Sequence, residues 1–189
     1  QGTVLLGYSM GGRLALQFAL RYPEKISGLI LIGATPGIRE ESDRMQRVVW
    51  DKEQAKRLSQ QRMQAFYSYW QRLPIIQSQT SIPDEIRNPM IERRLSQNSD
   101  QLALSMTHFG TGTMPHCWEE LPTLSVPTLL VVGEFDNKYR LIADEMLNTI
   151  PSELVTVAII KDAGHCAHLE NISESINCIS SWLNRESEL

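Results

Sequence analysis

Apolar residues along this chain follow two rhythms, separated by a long polar middle. Thr3 to Leu6 is a short apolar run. Beyond a tight turn, Leu14, Ala15, Phe18 and Ala19 recur at helical spacing, which predicts a helix over Met10 to Arg21 stopped by Tyr22-Pro23. Ser27 to Gly33 is almost continuously apolar, as expected of a strand covered on both faces in a parallel sheet. From Ile38 to Val126 the chain turns to Arg, Glu, Gln and Ser with scattered aromatics. That pattern predicts amphipathic helices broken near Pro74, Pro83, Pro89 and Pro115.

The first rhythm then returns. Thr128 to Val132 predicts a strand, about Arg140 to Thr149 a helix, Leu154 to Ile160 a strand, and about Ser173 to Asn184 a final helix. Strands alternating with helices imply parallel crossovers, hence an α/β sheet with its site at the carboxyl ends of the strands. The expected organisation is a core over 1–37, an inserted helical cap over 38–126, and the rest of the core over 127–189.

Composition narrows the class. With 189 residues, 42% hydrophobic and 21% charged, the chain has the make-up of one globular domain. A net charge of -4 gives no basic footprint for nucleic acid, and no apolar run approaches the roughly 18 residues of a membrane span. Cys117, Cys166 and Cys178 are odd in number and lack paired spacing, which favours a reducing, cytosol-like compartment over a disulfide framework.

Chemistry enters at Gly7-Tyr8-Ser9-Met10-Gly11, a G-x-S-x-G pentapeptide between a strand and a helix. Small residues there allow a sharp turn that exposes the serine hydroxyl, with the Met10 amide aimed at a developing oxyanion. A serine hydroxyl is a weak nucleophile or base unless a histidine takes its proton and an acid orients that histidine. Asp136 follows one predicted strand, with Glu134 as a substitute, and His165 follows the next. The order Ser, Asp, His is that of the α/β-hydrolase fold. The alternative reading of Ser9 is a plain surface Gly-Ser turn. His168 tempts a zinc reading with His165, but no further ligands have metal-site spacing, so no metal is expected. His108 and His116 read as loop or cap residues.

Arg39, Arg44, Arg47, Arg57, Arg62, Arg72, Arg87, Arg93 and Arg94 crowd the insertion of an acidic chain. Guanidinium groups suit an anionic, carboxylate-rich substrate. A solvated helix face, with Glu40, Glu41, Asp43, Asp51 and Glu53 as partners, is the competing account. Arg13 stands apart, because it lies one turn after Ser9 on the same helix.

These residues together resemble the 2-succinyl-6-hydroxy-2,4-cyclohexadiene-1-carboxylate synthases of menaquinone and phylloquinone biosynthesis. The matching segments are Gly7 to Arg13, Gly33 to Ile38, Trp70 with Leu73-Pro74 and Gln77 to Gln79, Gly110 to Pro115 before Trp118, Gly133 to Lys138, and Ala163-Gly164-His165 with His168-Leu169-Glu170. The resemblance implies an α/β-hydrolase fold with an inserted cap and a cofactor-free lyase that expels pyruvate from an enolpyruvyl-bearing cyclohexene polycarboxylate. It casts Ser9 as proton abstractor, His165 as its activator and Asp136 as the orienting acid. Tyr8, Met10, Arg13, Trp70 and Arg94 match substrate contacts, with Arg47 or its neighbour Arg44 as the third arginine. It implies a bacterial cytoplasmic or plastid setting, and elements ahead of the elbow strand, including a second oxyanion donor, that this chain lacks. Alone the chain is expected to fold poorly or be inactive. A serine hydrolase of esters, thioesters or carbon-carbon bonds, and a non-catalytic binding protein on the same fold, are the competing functions.

Overall fold

The computed structural model describes residues 2–187. In chain order its elements are β1 (Thr3–Tyr8), α1 (Met10–Arg21), β2 (Ile26–Ile32), α2 (Glu41–Gln60), α3 (Met63–Trp70), α4 (Pro74–Gln77), α5 (Asp84–Leu95), α6 (Ser99–Phe109), β3 (Thr128–Gly133), α7 (Asn137–Leu147), β4 (Val155–Ile160), α8 (Ala167–Glu170) and α9 (Ile172–Ser187). They form two compact units. One takes in the described residues up to Pro36 and from Cys117 onward; the other is Gly37–His116.

The first unit is an α/β layer structure. Its four strands are parallel and lie in the order β1-β2-β3-β4, with Tyr8 opposite Ile32, Ile32 opposite Val131 and Val131 opposite Ala158. This register brings the carboxyl ends level. Ile30, Ile32, Leu129, Val131 and Ile160 join Trp182 of α9 in one core, while Leu29, Leu31, Leu130 and Val132, which alternate with them, are buried too. Burial on both faces is why these strands read as continuous apolar runs. At its end of the sheet β1 pairs with β2 alone among the described residues, and Val4 and Leu6 are exposed.

Several boundaries differ from the sequence expectation. Cys117 to Val126, grouped by polarity with the insertion, belongs to the first unit: Trp118, Leu121, Leu124 and Val126 are buried, and the Cys117 N–H donates to Pro36 O at 2.8 Å. The helix expected from about Arg140 starts at Asn137, because the Asp136 side chain accepts from the Tyr139 N–H and caps it. Pro89 does not break a helix. It sits on the exposed face of α5, which continues to Leu95 while the adjacent Met90 is buried.

In the second unit α2 packs on α6. Asp51 of α2 is 2% exposed; its Oδ1 accepts from Arg47 Nε at 2.8 Å and its Oδ2 from the Gly112 N–H at 3.4 Å. A buried carboxylate is retained only when such donors meet it.

Two substitutions probe these contacts. A Cβ on Gly12 would lie 2.6 Å from Ala34 Cβ and 3.0 Å from Gly7 O, so Gly12→Ala must push α1 away from β1 and from the segment that leaves β2. It is expected to cost about 1–3 kcal/mol in urea unfolding. Asp51→Ala strands the Arg47 charge and the Gly112 amide, and a loss of about 2–3 kcal/mol is expected by the same measurement. An unchanged midpoint in either variant would show that the contact carries no stability.

Candidate active site

Strand β1 ends at Tyr8 and α1 begins at Met10, leaving one residue to reverse the chain. Ser9 does so at φ 49°, ψ −111°, with its N–H donating to Ile32 O at 2.9 Å. A serine holds so strained a conformation only where its surroundings over-determine it. The turn leaves the hydroxyl beside the first turn of α1, whose N–H groups, Met10 among them, have no partner within the helix.

The ends of β3 and β4 supply the groups that meet it. His165 Nε2 lies 3.0 Å from Ser9 Oγ, and His165 Nδ1 lies 2.7 Å from Asp136 Oδ2. Asp136 uses both oxygens, since Oδ1 accepts from the Tyr139 N–H at 3.4 Å. The acid is therefore fixed by the helix it caps before it orients the imidazole. His165 is 4% exposed, so the imidazole between Ser9 and Asp136 is shielded from water, while Ser9 is half-buried. Such a line lets the hydroxyl give up its proton to the imidazole, with the imidazolium stabilised by the carboxylate. Ser9 can then act as a nucleophile or as a base.

Packing holds the imidazole on several sides. The Tyr139 ring lies 4.5 Å from it and the Tyr8 ring 5.4 Å. Gly33, at φ 52°, comes so close that a Cβ there would lie 2.9 Å from His165 Cε1. Glu134, the substitute acid of the sequence reading, is not on the imidazole; its Oε2 accepts from the Asp162 N–H at 3.0 Å. Tyr139 was missed by the sequence reading, although its place three residues after a capping Asp marks it for the first turn of α7.

His168 is not a ligand partner of His165. Its ring packs on Tyr8 at 4.6 Å, its Nδ1 is buried without a hydrogen bond, and among the described residues no cluster of His, Cys, Asp and Glu fits a metal ion. Burial, reinforced by the neighbouring His165, holds the His168 pKa below its ordinary value. Cys117 is pushed up to about 12 by burial and then by Glu120 and Glu119, which leaves it an inert thiol.

The remaining candidates divide between the units. Tyr8, Met10 and Arg13 belong to the first, where Arg13 is 9% exposed in α1. Arg47, Trp70 and Arg94 belong to the second. Within it Arg47 spends Nε on Asp51, and its guanidinium lies 4.7 Å from the Trp50 ring centre. Trp50 packs on Trp70 at 5.9 Å, and Trp70 stacks on Phe66 at 5.4 Å. Arg94 donates Nη1 to Oε1 of the buried Gln79 at 2.9 Å. Each of these two arginines is steadied at one edge and keeps further donors. Arg44 has no such anchor among the described residues. Of the arginines assigned to a solvated face, Arg87 pairs with Asp84 and Arg57 lies over the Tyr69 ring.

Known proteins bear out the fold. The serine aminopeptidase S33 (Hydrolase_4) family model matches residues 1–172. The putative 2-succinyl-6-hydroxy-2,4-cyclohexadiene-1-carboxylate synthase of Bacillus subtilis (strain 168) is 39% identical over 166 residues, 88% of this chain and 60% of that protein. This chain thus spans well under the full length of that relative. Among solved structures, MenH from S. aureus superposes with a TM-score of 0.94 at 38% identity, over 99% of this chain and 70% of that one. A malate-bound thermophilic esterase from Thermogutta terrifontis gives 0.78 at 27% identity, over 98% and 66%. No helix among the described residues is long and apolar enough to cross a membrane. With its parallel sheet, its serine elbow and a family match running over most of its length, the chain belongs to the serine aminopeptidase S33 family of α/β-hydrolase-fold proteins.

Proposed function

We propose that the protein is a pyruvate-eliminating lyase of menaquinone or phylloquinone biosynthesis, acting on 2-succinyl-5-enolpyruvyl-6-hydroxy-3-cyclohexene-1-carboxylate. The hydrogen-bonded line Ser9-His165-Asp136 suits both elimination and hydrolysis. The observation that supports elimination is the 38% identity, over 99% of this chain, to MenH from S. aureus. In this reading His165 takes the Ser9 proton, and the Ser9 oxygen abstracts a proton from a ring carbon. The electrons of that C–H bond form a new ring double bond, the ring's existing double bond shifts and expels the enolpyruvyl oxygen, and the released enolate takes up the proton held by His165 and becomes pyruvate. The reaction as written needs no cofactor or metal, only held charges.

The arginines fit the substrate. Arg47 and Arg94, each anchored at one edge, and the largely buried Arg13 suit carboxylates bidentately, and Trp70 offers an apolar wall. Anchoring favours Arg47 over Arg44, because a guanidinium already fixed by Asp51 loses less freedom on binding. Tyr8 flanks His165, and the Met10 amide is a donor for developing negative charge. We place the protein in a bacterial cytoplasm or a plastid. The second reading, a serine hydrolase working through an acyl-enzyme, is favoured by the likeness to the Thermogutta esterase.

Incubating the full-length protein with the enolpyruvyl substrate and, separately, with p-nitrophenyl esters decides between them. Pyruvate release without ester cleavage is expected, and fast ester turnover without pyruvate sinks the lyase. Ser9→Ala should lower pyruvate release by roughly 10³-fold or more. Arg47→Ala should raise KM by roughly 10- to 100-fold, whereas Arg44→Ala should change it by less than about twofold. Equal effects would remove the distinction between the two arginines.

His168 generates a pH prediction. Unfolded, it binds a proton near its ordinary value of 6.5; folded, it does so only at lower pH. The unfolded chain therefore holds more protons as the medium acidifies, so this contribution is complete above about pH 6.5 and is lost below it. His168→Phe keeps a ring against Tyr8 and should flatten the fall in urea midpoint between about pH 7 and 5. An unaltered slope would show that His168 does not set the acid limb.

A further inference from the structure

His165 stands on a loop with little regular structure to hold it. Strand β4 ends at Ile160, and α8, a single turn, begins at Ala167. Asp136 can orient the ring, but it cannot fix the backbone that carries the ring. The loop is also strained, since Asp162 sits at φ 53° in the left-handed region.

Carboxylates take the place of secondary structure. The Lys161 N–H donates to Glu174 Oε2 at 2.8 Å and the Asp162 N–H to Glu134 Oε2 at 3.0 Å. The Gly164 N–H donates to Glu170 Oε2 at 2.6 Å and the Cys166 N–H to Glu170 Oε1 at 3.0 Å. Hydrogen bonds to an ionised acceptor are shorter and stronger than neutral ones. Here they stand where a β-ladder or a longer helix would otherwise hold the amides.

Glu170 differs from the other two in what it grips. Gly164 and Cys166 are the neighbours of His165 on either side, so one carboxylate grips the peptide that joins His165 to Cys166 and the peptide that joins Ala163 to Gly164. Its position makes this possible. As the last residue of α8 its Cα–Cβ bond tilts toward the helix N-terminus, so the side chain lies back along the turn to the amides at its start. Gly164 and Cys166 are buried, so water cannot replace the carboxylate if it is lost.

We infer that Glu170 is a positioning residue: it sets the distance from His165 Nε2 to Ser9 Oγ by clamping the backbone on both sides of His165. This rests on the proposed role of His165 as the base that activates Ser9. Glu170 touches no substrate; it acts through the imidazole, and its loss should reach turnover rather than binding.

Glu170→Gln in the full-length protein is the test. The substitution keeps shape but puts an NH2 group against an amide N–H, so the clamp loses at least one side. The kcat for pyruvate release is expected to fall roughly 10- to 100-fold, as for a misplaced reacting group, with KM changed by less than about threefold. A kcat within about threefold of the unsubstituted protein overturns the inference. Backbone hydrogen exchange in the unsubstituted protein tests the clamp even if the variant does not fold. Slow exchange at Gly164 and Cys166 is expected, and exchange at the rate of a free loop overturns it. His165→Ala in the same assay separates the two levels. If it retains kcat, the role of His165 as base fails; if it is inactive while Glu170→Gln is not, only the clamp fails.

Discussion

The strained turn at Ser9 is the constraint around which the first unit is built. A residue at φ 49°, ψ −111° is not stable by itself, so strand, helix and neighbouring strand must all hold it. The Ser9 amide is tied to the end of β2, and α1 approaches Ala34, just beyond that strand, so closely that only hydrogen fits on Gly12. Because the strands are parallel and in register, the loops leaving β1, β3 and β4 open at the same edge. The hydroxyl, the carboxylate and the imidazole reach one another without any of those loops being long.

The second unit follows a different logic. It has no sheet, and its charges are steadied locally: Asp51 and Trp50 hold Arg47, and Gln79 holds Arg94. Each anchor engages one edge of a planar cation. Rigid, partly coordinated guanidinium groups recognise carboxylates with less loss of side-chain freedom than solvated ones. The Trp50 ring beneath Arg47 packs on Trp70, and Trp70 on Phe66.

Much of this was legible in the sequence, for a physical reason. Buried parallel strands and a tight serine turn admit few residue types, so Thr3 to Gly12, Ser27 to Gly33 and Thr128 to Gly133 announce themselves, and the order Ser, Asp, His follows. Other features left weaker traces. Pro89 reads as a break because sequence does not show that it faces solvent while Met90 is buried. Trp118 and Leu121 read as insertion because a short 3-10 turn has too few residues to display a period. The difference between Arg44 and Arg47 was hidden, since both are arginines on one helix and only the buried Asp51 separates them. Glu134, Glu170 and Glu174 were illegible as loop supports, because a carboxylate bonded to backbone has no partner side chain to betray it.

The insertion joins two strands that lie side by side, with Leu29 paired to Thr128. Closing a loop depends only logarithmically on its length, each doubling adding roughly 0.6 kcal/mol. The helical part of the excursion, Gly37–His116, can therefore change in length at little cost in loop closure while the sheet keeps its register. Such a connection leaves the helical unit free to diverge over evolution while the residues at the strand ends stay in place.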